Sequence, residues 1–465
     1  FAAAMSEPAL TSVGGGGFLL HAAPGEEPQL LDFFCNVPGL DGGSVHPHVD
    51  TIVVDFAKAG PAASASEQVF HGGWGTVAVP GCFAGYLDAH HRWGRVDLAD
   101  VVAPAVHLAR EGVTLDPMQM RFLHLVADLL AITVESRHAF ADVQEHGRYV
   151  NAAYGNLLEA VGTGAVTGAH DDAFAGPLLA GSDVGGGLLT LRDLLSYEAV
   201  ARDPLALAYA GARVWTNPLP SFGGSIIADA LSELSVGDWP AGPEAWAQVV
   251  SALADATQRR RGPSQVSTGT THVSVVDGDG AVAAMTTSNG SGSGTLVPGW
   301  GVPLNNMLGE EDLLPVPGSR VEPGERMSSM MSPTLIELAD GSRTALGTGG
   351  SERIRSALLC VLARLAEGDD LANAIASPRV HISPPGPIHL EPGFADDSLR
   401  SLANLAAGRD WPSPEAWPSP SLYFGGVHAV SRRADGSVEA VGDERRSGAA
   451  AVVLPDGDVL SGVRA

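Results

Sequence analysis

Lysine is almost missing from this sequence: Lys58 is the only one, and nearly all positive charge is carried by arginine. An acidic, lysine-poor chain suits high salt, but the plainer source is a GC-rich coding bias, and composition leaves the salt habitat open. Basic residues are scarce overall, 27 against 53 acidic ones, for a net charge of −26. That excess repels phosphate backbones and anionic lipid heads, so neither nucleic acid nor a membrane surface is expected as a partner. Cysteine is limited to Cys35, Cys82 and Cys360, an odd and scattered set. Cys82 in a Pro-Gly turn and Cys360 among Leu358, Leu359, Val361 and Leu362 read as small buried hydrophobes, not as a disulfide frame or metal cage. No apolar run reaches the length of a membrane span. His-Glu-x-x-His and Cys-x-x-Cys spacings are absent too, and scattered histidines such as His46, His48, His90 and His91 make no ligand set, so no metal or organic cofactor is expected. The opening Phe1-Ala2-Ala3-Ala4 carries no Met and leaves a secretory leader, and hence the compartment, open.

What the chain does have is 45% apolar residues over 465 positions, enough for one large domain or two to three ordinary ones. The four-glycine run Gly14 to Gly17 is followed by Phe18-Leu19-Leu20 and by no Gly-Lys-Ser/Thr, so a tight turn is expected there and not a phosphate cradle. A helix is predicted over Asp97 to Gly112, with Gly112 as its stop, and long helical stretches from Pro117 to about Leu158. Thr190, with Asp193 three residues on, reads as a helix N-cap. Leu205 to Thr216 reads as strand, and Ser225 to Leu234 and Pro243 to Arg261 as helices. Beyond residue 270 the balance shifts to strands: Val273 to Asp277, Ala281 to Thr287, Thr334 to Leu338, Arg343 to Leu346, Val427 to Ser431 and Ala449 to Leu454. A helix from Arg353 to Glu367 lies among them, closed by Gly368. The repeated Trp-Pro-Ser-Pro at Trp411 and Trp417 is too short for a repeat fold and reads as a stiff surface loop. Helices segregated from strands indicate an α+β fold.

Within this pattern Thr270-Thr271-His272-Val273-Ser274 follows the polar loop from Gly262 to Gly269 and opens a predicted hairpin. A Thr hydroxyl is a poor nucleophile unless a base lies beside it. The nearest base that a chain can supply is the residue's own α-amine, freed by cutting the preceding peptide bond. Thr270, at the start of a strand after a loose loop, meets that need. By spacing alone the stretch is equally an ordinary hairpin, because Thr is β-branched and favoured in strands.

The motif resembles the new N-terminus of the small subunit in the γ-glutamyltransferases, which are self-cleaving N-terminal nucleophile hydrolases. Further blocks resemble the family in order: Leu304 to Asp312, Arg326 to Thr334 and Gly347 to Ile354, with Val77 to Gly81, Ala84-Gly85 and Pro218 to Gly224 upstream. The likeness runs from about Ser12 onward. It implies a four-layer αββα sandwich shared by a large-subunit-like region, residues 1–269, and a small-subunit-like region, residues 270–465. It also implies hydrolysis or transfer of the γ-glutamyl group of glutathione or related amides through an acyl-Thr intermediate. A small γ-glutamyl or other amide is then the substrate, the two cleaved fragments stay associated, and a homo-oligomer is left open. The alternatives are a related amidohydrolase or acylase for another acyl group, and a non-cleaving relative that only binds a small amide.

Carried over by position, the resemblance makes Thr270 the nucleophile and Ser288 the hydroxyl that steadies it. Gly349 and Gly350, ahead of a helix start, would form the oxyanion hole, although Gly-Gly also suits an ordinary strand-to-helix turn. Ser328 and Ser329 match the serine pair that binds the substrate carboxylate, and Glu311 or Asp312 would hold its ammonium, unless that acidic run is simply solvated surface. The family's asparagine near the nucleophile falls on Gly290, with Asn289 adjacent as a candidate. One departure is larger. Where better-known members carry an arginine that clamps the substrate α-carboxylate, this chain reads Leu31-Asp32-Phe33-Phe34-Cys35, and phenylalanine does not replace bidentate guanidinium recognition.

Overall fold

The computed structural model describes residues 1–42, 47–55, 67–234, 242–260, 269–310 and 322–461. Two sheets form its centre. Before residue 269 their strands are β1 (Gly16–Ala22), β2 (Gln29–Phe33), β3 (Val200–Arg202), β4 (Leu205–Tyr209) and β5 (Ala212–Thr216). After it come β6 (Thr271–Val276), β7 (Val282–Ser288), β8 (Thr334–Glu337), β9 (Arg343–Gly349), β10 (Gly426–Arg432) and β11 (Val438–Val441). The first sheet runs β6-β7-β1-β2-β3 and the second β11-β10-β9-β8-β5-β4. Every pairing in both is antiparallel. Each sheet therefore mixes strands from both sides of residue 269.

The sheets pack face to face through β6 and β7 on β9 and β10. Helix α1 (Cys82–Trp93) covers the outer face of the first sheet at β1 and β2. On the second sheet lie α2 (Phe222–Glu233), α3 (Ala245–Arg260) behind it, and α4 (Arg353–Ala366). The result is an α+β sandwich in four layers, with one apolar core running from Phe18 and Phe34 through Ile336 and Leu346 to Leu358 and Leu362. A second core, built on Phe83, Leu157, Phe174 and Leu178, holds the helices that precede residue 190.

Local chemistry explains most element ends. Asp97 flanks the helix Leu98–Glu111, and Gly112 stops it at φ 83°, a conformation that favours glycine. Thr190 and Asp193 form a reciprocal capping box on Leu191–Ser196. The helical stretches expected from Pro117 to about Leu158 are four separate helices, Pro117–Leu125, Ala127–Leu130, Val134–His146 and Ala152–Gly162. The last two have their own caps: Thr133 accepts from Ser136 N and Asn151 from Tyr154 N. The segment Leu205 to Thr216 is likewise two strands, turned at Ala210-Gly211 with both φ positive. The glycine run is part strand, since Gly16 and Gly17 already pair with Ser288 and Thr287. Among the described residues no helix is long and apolar enough to cross a membrane.

Candidate active site

Strand β6 sets the site, and its outward face is not the one that apolarity suggests. Val273 and Val275 are 39% and 52% exposed, whereas His272 points between the sheets at 7%. His272 is tied there, Nδ1 to Thr286 Oγ1 at 2.8 Å and Nε2 to Ser274 Oγ at 2.7 Å. Burial, then the neighbouring His428, holds its pKa well below the usual imidazole value, so it is a neutral structural ring. By the two-residue period of a strand, Thr270 lies on the same inward side. The facing strand β9 makes room for it. A side chain on Gly347 would strike the His272 ring, and one on Gly349 would strike the Thr270 carbonyl oxygen. Two glycines let the strands approach this closely.

Around the Gly269–Thr270 peptide the polar groups form a relay. Ser288, at the end of β7, donates its hydroxyl hydrogen to the Gly269 carbonyl oxygen. Ser288 Oγ in turn accepts from Gly290 N at 2.8 Å. Gly269 lies against Gly290 O so closely that no side chain fits at 269. Thr270 itself is 8% exposed, and among the described residues its hydroxyl has no hydrogen-bond partner. A hydrogen-bonded carbonyl with a free hydroxyl on the next residue is the ground-state geometry for acyl transfer from nitrogen to oxygen.

Across β9, Gly349 and Gly350 turn the chain into α4. Gly350 has φ 133°, its carbonyl accepts from Arg353 N at 3.0 Å, and among the described residues no acceptor meets its N–H. Ser351 follows at φ 52°, a left-handed conformation unusual for a residue with a side chain. Beneath the turn lies a buried ion cluster in which Arg379 pairs with Asp443 and Arg445 with Glu391 and Asp443. Burial opposes ionisation of Asp443, but Arg379 and Arg445 outweigh it and hold the carboxyl below its ordinary value. Arg379 also donates to Phe424 O and Gly425 O, which back onto Gly350.

A narrow cavity of about 20 Å³ adjoins Thr270. Its polar members are Ser288, Glu310, Ser329 and Ser351; its apolar wall is Phe34, Met307, Met330, Met331 and Ile354. The structure thus brings together Thr270, Ser288 and Ser329 from the expected set, with Gly349 on the far side of the nucleophile. Ser328 is buried at 6% beside Ser329 but does not line the cavity. Asn289 is turned away: its amide is spent on Ser12, Nδ2 to Oγ at 3.2 Å. Glu311 and Asp312 lie outside the described residues. Glu310, the acid just before them, is the acid among the described residues that reaches the cavity, and its carboxylate lies against Gly290 and Asn306. Sequence reasoning missed it because an exposed acidic run and a single buried acid read alike. Asn306 is a second omission; its Oδ1 accepts from Ser291 N at 2.9 Å and fixes the loop after Ser288. Among the described residues no cationic side chain lines this cavity. Arg326 sits behind Phe34 with its guanidinium spent on Phe34 O, Tyr197 and Glu198 O and its Nε facing Asp32.

Replacing Ser288 with Ala removes the donor on the Gly269 carbonyl and, on the expectation that the chain is cut between Gly269 and Thr270, should slow that cut by on the order of a hundredfold, followed by gel densitometry over time. Cleavage at the wild-type rate would remove Ser288 from the reaction.

Comparison with known proteins places this geometry. The family model described as Gamma-glutamyltranspeptidase matches residues 1–262 and 244–453. Glutathione hydrolase 5 proenzyme of Homo sapiens is 28% identical, over 87% of this chain and 80% of its own length. Glutathione hydrolase proenzyme of Bacillus subtilis (strain 168) is 23% identical over 97% and 85%, and that of Escherichia coli (strain K12) is 27% identical over 86% and 79%. Among solved structures, cephalosporin acylase from Bacillus halodurans superposes with TM-score 0.75 at 20% identity, covering 99% of this chain and 89% of that one.

Proposed function

The chain belongs to the gamma-glutamyltranspeptidase family of hydrolase and transferase enzymes, and from that premise we propose that it cuts its own Gly269–Thr270 bond and then hydrolyses or transfers γ-glutamyl-type acyl groups through an ester on Thr270. The observation that carries this reading is the relay of Gly290 N–H, Ser288 hydroxyl and Gly269 carbonyl beside an unpartnered Thr270 hydroxyl. In the first step Thr270 Oγ attacks the Gly269 carbonyl carbon, the C–N bond breaks, and the hydroxyl proton passes to the Thr270 nitrogen, which leaves as a free amine. Water then attacks the Gly269–Thr270 ester, breaking its C–O bond to give the Gly269 carboxylate and the Thr270 hydroxyl. In the uncleaved chain the acyl cavity has room for about one water; departure of Gly269, which lines it, opens the space.

In each later turnover the Thr270 amine takes the proton from Oγ as Oγ attacks the substrate amide, and returns it to the leaving amine. Gly350 N–H, which meets no acceptor among the described residues, would stabilise the oxyanion. Glu310 would pair with an ammonium on the acyl group, and Ser329 would donate to its other polar end. The region of residues 1–269 and that of residues 270–465 stay together because both supply strands to each sheet.

Phe34 and the methionines favour a second emphasis within this function: an acyl group recognised by its amine and its apolar body more than by its α-carboxylate. A charge-assisted hydrogen bond contributes roughly 1.5–3 kcal/mol, so an absent cation weakens carboxylate recognition by on the order of ten- to a hundredfold. The test compares kcat/KM for γ-glutamyl anilide with the same anilide lacking the α-carboxylate, and with one lacking the α-amine. We expect the missing carboxylate to matter little and the missing amine to cost on the order of ten- to a hundredfold. A preference for the carboxylate above about a thousandfold would mean that a cationic clamp operates in this cavity, and the reading of relaxed specificity would be wrong.

A further inference from the structure

On the other side of Thr270 from the acyl cavity lies a second cavity of about 420 Å³, and Thr270, Gly349 and Arg446 share its wall. A methyl group placed on Gly349 would lie 2.8 Å from Arg446 Nη1 and would press on the Thr270 carbonyl oxygen. The guanidinium and the Thr270 backbone therefore lie on either side of a bare glycine. A methyl on Gly350 would lie 3.6 Å from Nη2 of the same arginine. Arg446 differs from the arginine next to it. Arg445 is held by Glu391 at 2.7 Å and Asp443 at 3.2 Å, whereas among the described residues Arg446 forms no ion pair and its Nε is buried without a hydrogen-bond partner.

The other charged groups around it are already committed. Glu7, from the N-terminal segment, accepts from Thr271 Oγ1 and from Gln119 Nε2. Burial raises its pKa, the Thr271 hydrogen bond opposing. Asp443 is bound by Arg379 and Arg445. Burial, then the positive charge of Arg353 on α4, lowers the pKa of Arg446 to about 10 against the opposing pull of Glu7 and Asp443, which leaves a full cation at neutral pH. His272 and His428 are kept neutral by burial. Asp116 lies on the same cavity wall and is spent on Met118 N and Gln119 N.

We propose that Arg446 is a positioning residue that acts through charge: it holds the α-amine that cleavage creates on Thr270 in the neutral, proton-accepting form. This rests on the reading of Thr270 as a self-made N-terminal nucleophile. An ordinary α-amine titrates at about 7.7–8.0 and is mostly ammonium at neutral pH, where it cannot take the hydroxyl proton. A cation beside it disfavours the ammonium, and burial limits the water that would screen it.

The experiment measures kcat/KM against pH for the mature wild type, Arg446→Gln and Arg446→Lys. Losing a neighbouring cation raises the amine pKa, so the acid limb of Arg446→Gln should move up by about one pH unit, a roughly tenfold loss of activity on that limb, while the high-pH plateau changes less than about threefold. Arg446→Lys should restore the limb. A uniform loss at every pH with the limb unmoved would make Arg446 a packing residue and overturn the proposal. A second measurement needs no variant: the rate at which an acylating reagent labels the Thr270 amine of the wild-type small fragment, read by mass spectrometry against pH. Its inflection should fall below the ordinary α-amine range; at or above that range the proposal fails. Absence of any fragment beginning at Thr270 would defeat the underlying function reading, whereas cleavage with an ordinary amine would defeat the role of Arg446 alone.

Discussion

Thr270→Ala should remain a single uncleaved chain and lose turnover by on the order of ten-thousandfold or more, since one residue supplies both attacking hydroxyl and base. The substitution removes one hydroxyl and one methyl from an inward position next to Gly349, so the fold is expected to persist. Its thermal midpoint should stay close to that of the wild-type precursor. The relay on Gly269 remains complete in this variant, because Ser288 and Gly290 are untouched. Polarisation without a nucleophile therefore gives no cleavage. An alanine variant that still cuts itself or still hydrolyses amides would place the nucleophile elsewhere.

Gly350→Val should lower kcat on the order of a hundredfold or more. Two effects act together. At φ 133° an L side chain is strained wherever it points, and the Gly425 backbone lies 3.3 Å from where the first carbon would go. The turn must shift, and the N–H that meets no acceptor among the described residues shifts with it. That donor matters most when charge gathers on the oxygen, so binding of a substrate-like inhibitor should fall much less than kcat. Equal losses in kcat and inhibitor affinity would assign Gly350 to folding in general.

Much of this was legible in the sequence, for physical reasons that can be named. Thr190 with Asp193 and Gly112 announced element ends because capping needs those side chains or the lack of one. The hairpin after Thr270 was visible from its β-branched residues and Asp-Gly turn. Its facing was not: Val273 and Val275 turn outward, because the inward positions belong to Thr270 and to a His272 paired with Thr286 and Ser274. Alternation of apolar residues cannot report a polar strand face satisfied from across a sheet. The breaks between Pro117 and Leu158 were hidden for a similar reason, since Thr133 and Asn151 act as caps only through local geometry. In the site, Thr270 was placed by residue type at the start of a strand, and Ser288 and Ser329 by the family resemblance. Glu310 was not singled out, and the turn of the buried Asn289 toward Ser12 depends on a contact between residues far apart in the chain. Phe34 was readable as a departure, but its place on the cavity wall was not.

Intact-mass analysis of the purified wild-type chain, with N-terminal sequencing of each component, tests the central claim most directly. The account predicts two associated fragments that divide between Gly269 and Thr270, the smaller beginning Thr-Thr-His-Val-Ser. A single uncut chain that nevertheless turns over amides, or a cut at any other peptide bond, would contradict it.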